Sequence, residues 1–231
     1  MLAPSERYAE GEQIKHKKVT DWARQLLLLK RWLPKRKVIA VGDSSYAVID
    51  LLAPLGGHVA FITRLRLDAG LPARGPGKPG RNRKKGERLP TLQQVLTDAA
   101  TPWQKVKLTN WYGHSEIGLE VATATALWYH SGKPAVPRRW VLLRDPEAKR
   151  APVALLSTDF ELSAELIITY FARRWAVEVT LQETRAHLGV ETQRQWSEKA
   201  IERTTPVLLA LFSIITLVAD RLQKQGKTAA K

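Results

Sequence analysis

Cysteine is absent from the 231 residues, which excludes a disulfide framework and any thiolate metal site. Histidine is scarce. The five, His16, His58, His114, His130 and His187, are scattered without the H-x3–5-H spacing of a transition-metal site. Acid is scarce as well: 22 Asp and Glu stand against 37 Lys and Arg, a formal net charge of +15 and a pI near 10.2. Such an excess implies a polyanionic partner, nucleic acid first, because each phosphate contact by Lys or Arg releases counterions. No apolar run of signal-peptide type opens the chain. The most apolar stretch, Val207–Ala219, is interrupted by Ser213 and Thr216 and is too short to span a bilayer. It is expected to be a buried core helix, and the protein to be soluble, cytoplasmic and without a membrane partner. No Gly-Lys-Ser/Thr closes a phosphate-binding loop, and no internal repeat is present.

What is present suffices for a folded body: 44% hydrophobic residues and eight tryptophans. Val19–Leu33 has helical spacing and ends at Pro34, and Val38–Val41 is a short apolar run of the buried parallel-strand kind. Gly42-Asp43-Ser44-Ser45 supplies a turn and a helix cap, Tyr46–Leu55 a helix, Gly56-Gly57 its stop, and His58–Thr63 a second strand. Strand, helix, strand at this spacing predicts a βαβ unit, so residues 1–70 form a core segment with Asp43 at the carboxyl end of a parallel strand. Residues 71–90 are Gly/Pro-rich and basic, with Arg81, Arg83, Lys84 and Lys85 at their centre, and predict a flexible strap able to order on DNA, with a solvated linker as the bland alternative. Residues 91–160 turn to β texture, with runs Val106–Tyr112, Ile117–Tyr129, Arg139–Arg144 and Val153–Ser157 separated by turn signals. These predict antiparallel strands distinct from the βαβ unit. Residues 161–224 predict two helices, one from Ser163 to His187 stopped by Gly189 and one from Ser197 to Gln223 with Pro206 as a kink or a new start; 225–231 are a tail.

The first of those helices carries the chemistry. On the helical wheel Phe171, Arg174, Glu178 and Arg185 fall within roughly a 60° arc, so one stripe sets an acid among guanidinium groups. Trp175, Val177, Val179 and Leu188 lie on other faces, available to a core. An i,i+4 ion pair with Arg174 would explain Glu178 alone, as a helix N-cap would explain Asp43 alone. Neither accounts for the strand-end acid, the basic strap and the overall charge together. Metal-assisted phosphoryl chemistry does: Mg²⁺ prefers hard oxygen ligands, and a pair of such ions about 4 Å apart is held by acids converging from different elements.

At these residues the chain resembles the DDE transposases of prokaryotic insertion sequences. It is similar to the group whose ribonuclease-H-like core is interrupted by a β-strand insertion between the second Asp and the Glu. That group carries Tyr-x2-Arg-x3-Glu-x6-Lys on its catalytic helix; here the register is Phe171-x2-Arg174-x3-Glu178-x6-Arg185. Arg174 and Glu178 match, while Phe171 and Arg185 replace Tyr and Lys. Val38–Tyr46 resembles the segment bearing the second Asp, and Gly80–Pro90 and Gly189–Leu217 also resemble segments of these enzymes. The resemblance implies an α/β fold, a partial ribonuclease-H-like core with a β-rich insertion domain and a helical carboxyl terminus. It implies that Asp43 and Glu178 are catalytic ligands of two Mg²⁺ (or Mn²⁺) ions. It implies further that Phe171, Arg174 and Arg185 contact DNA at the transposon ends, and that the protein is nucleoid-associated, as a homodimer or with full-length transposase. Trp111, Trp128 and Trp140 are open either to stacking on a displaced base or to burial, burial being preferred.

The family has a first Asp on the opening strand of its core. Upstream of Asp43 the only Asp is Asp21, inside a helical run, and Asp159 is a weak substitute at a strand end. The expectation is therefore a carboxyl-terminal portion of a transposase, lacking the first Asp and inactive by itself. The alternative is a non-catalytic fragment that binds DNA or transposase and inhibits transposition.

Overall fold

The computed structural model describes residues 6–55, 58–74, 85–111, 114–191 and 198–229. Its residues divide into two compact units, Met1–Arg173 and Arg174–Lys231.

In the first unit, helices α1 (Glu6–Gly11) and α2 (Val19–Leu27) precede the four-residue strand β1 (Ile39–Gly42). A 3-10 turn over Ser44–Tyr46 and the short helix α3 (Ile49–Leu52) then lead to β2 (Ala60–Leu65). β1 and β2 pair in parallel, Ile39 opposite Ala60 through Gly42 opposite Thr63, as the βαβ spacing requires. β3 (Pro72–Arg74) and β4 (Lys85–Arg88) form a two-stranded antiparallel ribbon, so the ends of the basic strap are structured, with Leu71 buried beside them. Arg81, Arg83 and Lys84 lie outside the described residues, and Lys85 opens β4. Helix α4 (Leu92–Thr97) starts at a capping box in which Thr91 and Gln94 satisfy one another's backbone N–H groups.

Strands β5 (Gln104–Trp111), β6 (His114–Trp128), β7 (Val136–Arg144) and β8 (Val153–Ser157) pair antiparallel in sequence. They do not stand apart from the βαβ unit, as their texture predicted. β8 pairs antiparallel with β2, giving one six-stranded mixed sheet in the order β1-β2-β8-β7-β6-β5. Two-residue alternation then fills both faces. Ile62, Val121, Val141 and Leu155 on one face pack with Ile167, Ile168 and Phe171 of α5 (Ala164–Arg173). Phe61, Leu65, Trp140, Leu142 and Leu156 on the other pack with Leu51 and Leu52 of α3 and Leu92 of α4. Trp111 and Trp140 are buried.

The second unit holds α6 (Trp175–Leu188) and α7 (Glu198–Ala229), which pack together. The single helix predicted from Ser163 to His187 is thus two, broken at Arg174, where the Val177 N–H bonds the Arg174 carbonyl at 3.0 Å. Neither Pro nor Gly marks the break. What changes there is burial: Ile167, Ile168, Phe171 and Ala172 face the core, whereas Trp175, Val177 and Val179, expected to face one, are exposed. Gly189 ends α6 at φ 70°, a left-handed position that glycine adopts without strain. α7 runs through Pro206 without ending. The buried-core expectation for Val207–Ala219 fails, since Val207, Ile214, Leu217 and Val218 are each exposed. By length and composition alone, Arg203–Gln225 is sufficient to cross a membrane. Together these features are a ribonuclease-H-like core with a β-rich insertion and a helical carboxyl-terminal pair.

Candidate active site

Asp43 leaves the carboxyl end of β1 in an extended conformation and caps the 3-10 turn that follows. Its Oδ1 accepts from the Ser45 N–H at 2.9 Å and from the Ser45 hydroxyl at 2.5 Å. The cap predicted for Asp43 is therefore made, yet it engages one carboxylate oxygen on an exposed side chain and leaves the other to solvent. Two neighbours fix the strand end. The buried Thr63 hydroxyl of β2 donates to the Asp43 carbonyl. Gly42 lets the Tyr46 ring close over the chain: a Cβ there would meet Tyr46 Cδ2 at 2.9 Å and Phe61 Cζ at 3.0 Å.

In the second unit Glu178 sits in the first turn of α6, where the helix dipole favours a carboxylate. Arg174 Nη1 donates to its Oε1 at 2.7 Å, the i,i+4 pair foreseen from spacing. Arg185 does not join this stripe: its Nε donates to Glu191 at 2.6 Å. Phe171 belongs to α5 in the first unit, and its ring is packed in the core at 5% exposure. The helix break divides the four-residue stripe between two elements.

The other acids weighed from the sequence are occupied elsewhere. Asp21 bonds the Lys18 N–H at 3.1 Å and lies 3.6 Å from Arg24, serving the start of α2. Asp159 follows β8 next to the amino-terminal end of β1, with Lys37 Nζ at 2.7 Å, whereas Asp43 follows the carboxyl end of the same strand. Burial by itself would raise the Asp159 carboxyl. The Lys37 ammonium and the backbone N–H groups of Glu161 and Leu162 outweigh this and hold it below the usual carboxylate range. A residue on the opposite end of β1 cannot complete a site built on Asp43.

The transposase DDE domain family matches the chain over residues 11–204, which takes in β1, the whole sheet and α6. The chain belongs to that family. No curated protein matches it. Within the family assignment, the open carboxylate oxygen of Asp43 and the carboxylate of Glu178 are hard oxygen donors of the kind Mg²⁺ takes. Among the described residues, no three His, Cys, Asp or Glu stand together as a ready-made metal cluster. Sequence reasoning missed Thr63 and Tyr46, the residues that hold Asp43 in place. The parallel register carried the signal for Thr63, one rung below the position opposite Asp43.

Proposed function

We propose that this chain is the carboxyl-terminal part of an insertion-sequence transposase of the Tyr-Arg-Glu-Lys signature group. Asp43 and Glu178 are two of its three metal-binding acids, and the third is supplied from outside these residues. The observation that carries the reading is an exposed acid with an open oxygen at the carboxyl end of a parallel strand, in a chain matched to the family across most of its length. Asp43 and Glu178 would hold two Mg²⁺ ions, which when bound would supply activation of the attacking oxygen and stabilisation of the leaving one. Arg174 and Arg185 bind DNA phosphates near the transposon end by exchanging their pairs with Glu178 and Glu191 for phosphate oxygens, and the basic segment around Arg81, Arg83, Lys84 and Lys85 adds non-specific attraction. With one acid missing, the isolated chain binds DNA but does not cut it.

The test combines a duplex-binding assay across a salt series with a nicking assay in Mg²⁺ and in Mn²⁺. Expected are salt-sensitive binding and no nicking. Metal-dependent nicking that disappears in Glu178→Ala would overturn the inactivity, and an absence of binding at low salt would overturn the transposase reading itself. The charge of +15 also favours a second reading, a fragment that holds DNA against the full-length enzyme. A strand-transfer assay with added full-length transposase tests it: inhibition that falls as salt rises is expected, and no inhibition at any salt would overturn it.

A further inference from the structure

The sequence singled out no cation in the first unit beside Asp43, but the sheet register supplies one. β1 and β2 pair in parallel as far as Gly42 opposite Thr63, and Asp43 continues extended at φ −80°, ψ −174°. One rung further places Arg64 opposite Asp43. Paired residues of adjacent strands share a sheet face, and adjacent strands run about 5 Å apart. Arg64 is exposed, and its guanidinium meets no carboxylate among the described residues. No ion pair joins it to Asp43, whose Oδ1 accepts both Ser45 bonds. A cleft of about 510 Å³ opens at this strand end, lined by Ser44, Arg64, Arg66 and Gln93 among others. Its other cation is already committed: Arg66 donates to Asp68 through Nε at 2.9 Å and Nη2 at 2.6 Å.

The geometry points to Arg64 as a phosphate-binding positioning residue of the Asp43 site, gripping a phosphodiester of the DNA so that the backbone lies against the end of β1. This rests on the transposase reading and adds a residue to it. The chemistry follows from the guanidinium fork, which matches two phosphate oxygens at once and holds orientation as well as charge. Arg66, tied to Asp68, serves as the internal control within the same cleft.

The experiment is fluorescence anisotropy of the full 231-residue chain with a labelled duplex of random sequence, in EDTA, across a salt series. Arg64→Ala is expected to bind about tenfold more weakly at low salt, with a log–log salt slope shallower by about 1. Arg64→Lys keeps the charge and hence the slope but loses the fork, and recovers only part of the affinity. Arg66→Ala changes affinity less than about threefold, because its charge is already neutralised. Equal losses in Arg64→Ala and Arg66→Ala, or none in either, overturn the role of Arg64 while leaving the transposase reading intact. A wild-type chain that binds no duplex removes both. Matching thermal melts of the variants and the parent show that the exposed side chain was not holding the fold.

Discussion

Asp43 closes a strand whose neighbours are buried, tied by Thr63 below it and Tyr46 above; Glu178 stands in the first turn of a helix whose flanking Trp175, Val177 and Val179 face solvent. The same contrast runs through the two units. In the sheet, apolar alternation ends in burial on both faces, with Leu155, Val141 and Leu142 all at 0% exposure. In α7, equally apolar residues such as Val207 and Leu217 remain above 60% exposed. Apolar content therefore settles burial in a strand, whose two faces are set by its neighbours, but not in a helix that has few neighbours. An acid on the first kind of element is held by tertiary structure, and an acid on the second by its own helix.

The largest expected effect tests the burial contrast directly. Leu155→Ala should cost about 2–5 kcal/mol in a urea titration, while Leu217→Ala should stay within about 0.5 kcal/mol. A comparable loss at Leu217 would mean that α7 buries this face in solution, and the contrast between the units would fail.

Arg138 is the exception within the sheet, a charged residue at 1% exposure on β7. Among the described residues its Nη1 reaches the carbonyl of its neighbour Pro137 at 3.1 Å, and its Nε and Nη2 have no hydrogen-bond partner. Burial pulls this guanidinium down from its ordinary value to about 9. The folded-state value lies below the unfolded one, so the burden is fully present below about pH 9 and is relieved as pH rises from there towards the unfolded value. Arg138→Met should therefore stabilise the protein by about 1–3 kcal/mol at neutral pH, with the gain shrinking above about pH 9. Equilibrium unfolding of both proteins across that range checks the sign. A destabilised Arg138→Met variant would show that contacts such as the Trp128 ring, 5.9 Å from the guanidinium carbon, outweigh the cost of burial.

The sheet was largely legible in the sequence; the helices were legible in position but not in their burial or in the break at Arg174. Alternation and turn residues located β5 to β8 to within a few positions, and the strand-helix-strand spacing gave the parallel β1–β2 pair with Asp43 at its end. The pairing of β2 with β8 was not legible, because Ile62 meets Ser157 across some ninety residues, and no local pattern encodes such a partner. The break at Arg174 was equally hidden: the residue keeps helical dihedrals of φ −54°, ψ −32°, and only the change from buried to exposed side chains marks it. Of the candidate site, Asp43, Glu178 and the Arg174–Glu178 pair could be read from type and spacing, since each depends on a single element. Thr63 and Arg64 could not, because their relation to Asp43 exists only once the strand register is known.

A smaller effect separates the two duties of Asp43. Asp43→Ala removes the cap on the 3-10 turn and should cost about 1 kcal/mol, whereas Asp43→Asn keeps an acceptor for the Ser45 N–H and should be nearly neutral. Thr63→Val leaves the Asp43 carbonyl without its buried donor and should cost about 1–2 kcal/mol. If Asp43→Asn proved as damaging as Asp43→Ala, the carboxylate charge rather than the cap would be holding the turn, and the open oxygen would no longer be spare.

The smallest expected effect lies at Glu178. The pair with Arg174 is i,i+4 and half-buried, with the base amino-terminal to the acid, the weaker of the two orders, and the Glu178 side chain is 41% exposed. Solvent screening leaves such a pair worth a few tenths of a kcal/mol, and the position in the first helical turn adds a comparable amount. Glu178→Ala should thus lower stability by no more than about 0.5–1 kcal/mol in thermal or urea unfolding, with Glu178→Gln lower still in cost. An acid that contributes so little to its own helix is free to serve a ligand. A Glu178→Ala loss of several kcal/mol would instead make it a structural residue, and the proposed metal-binding role would lose its main physical support.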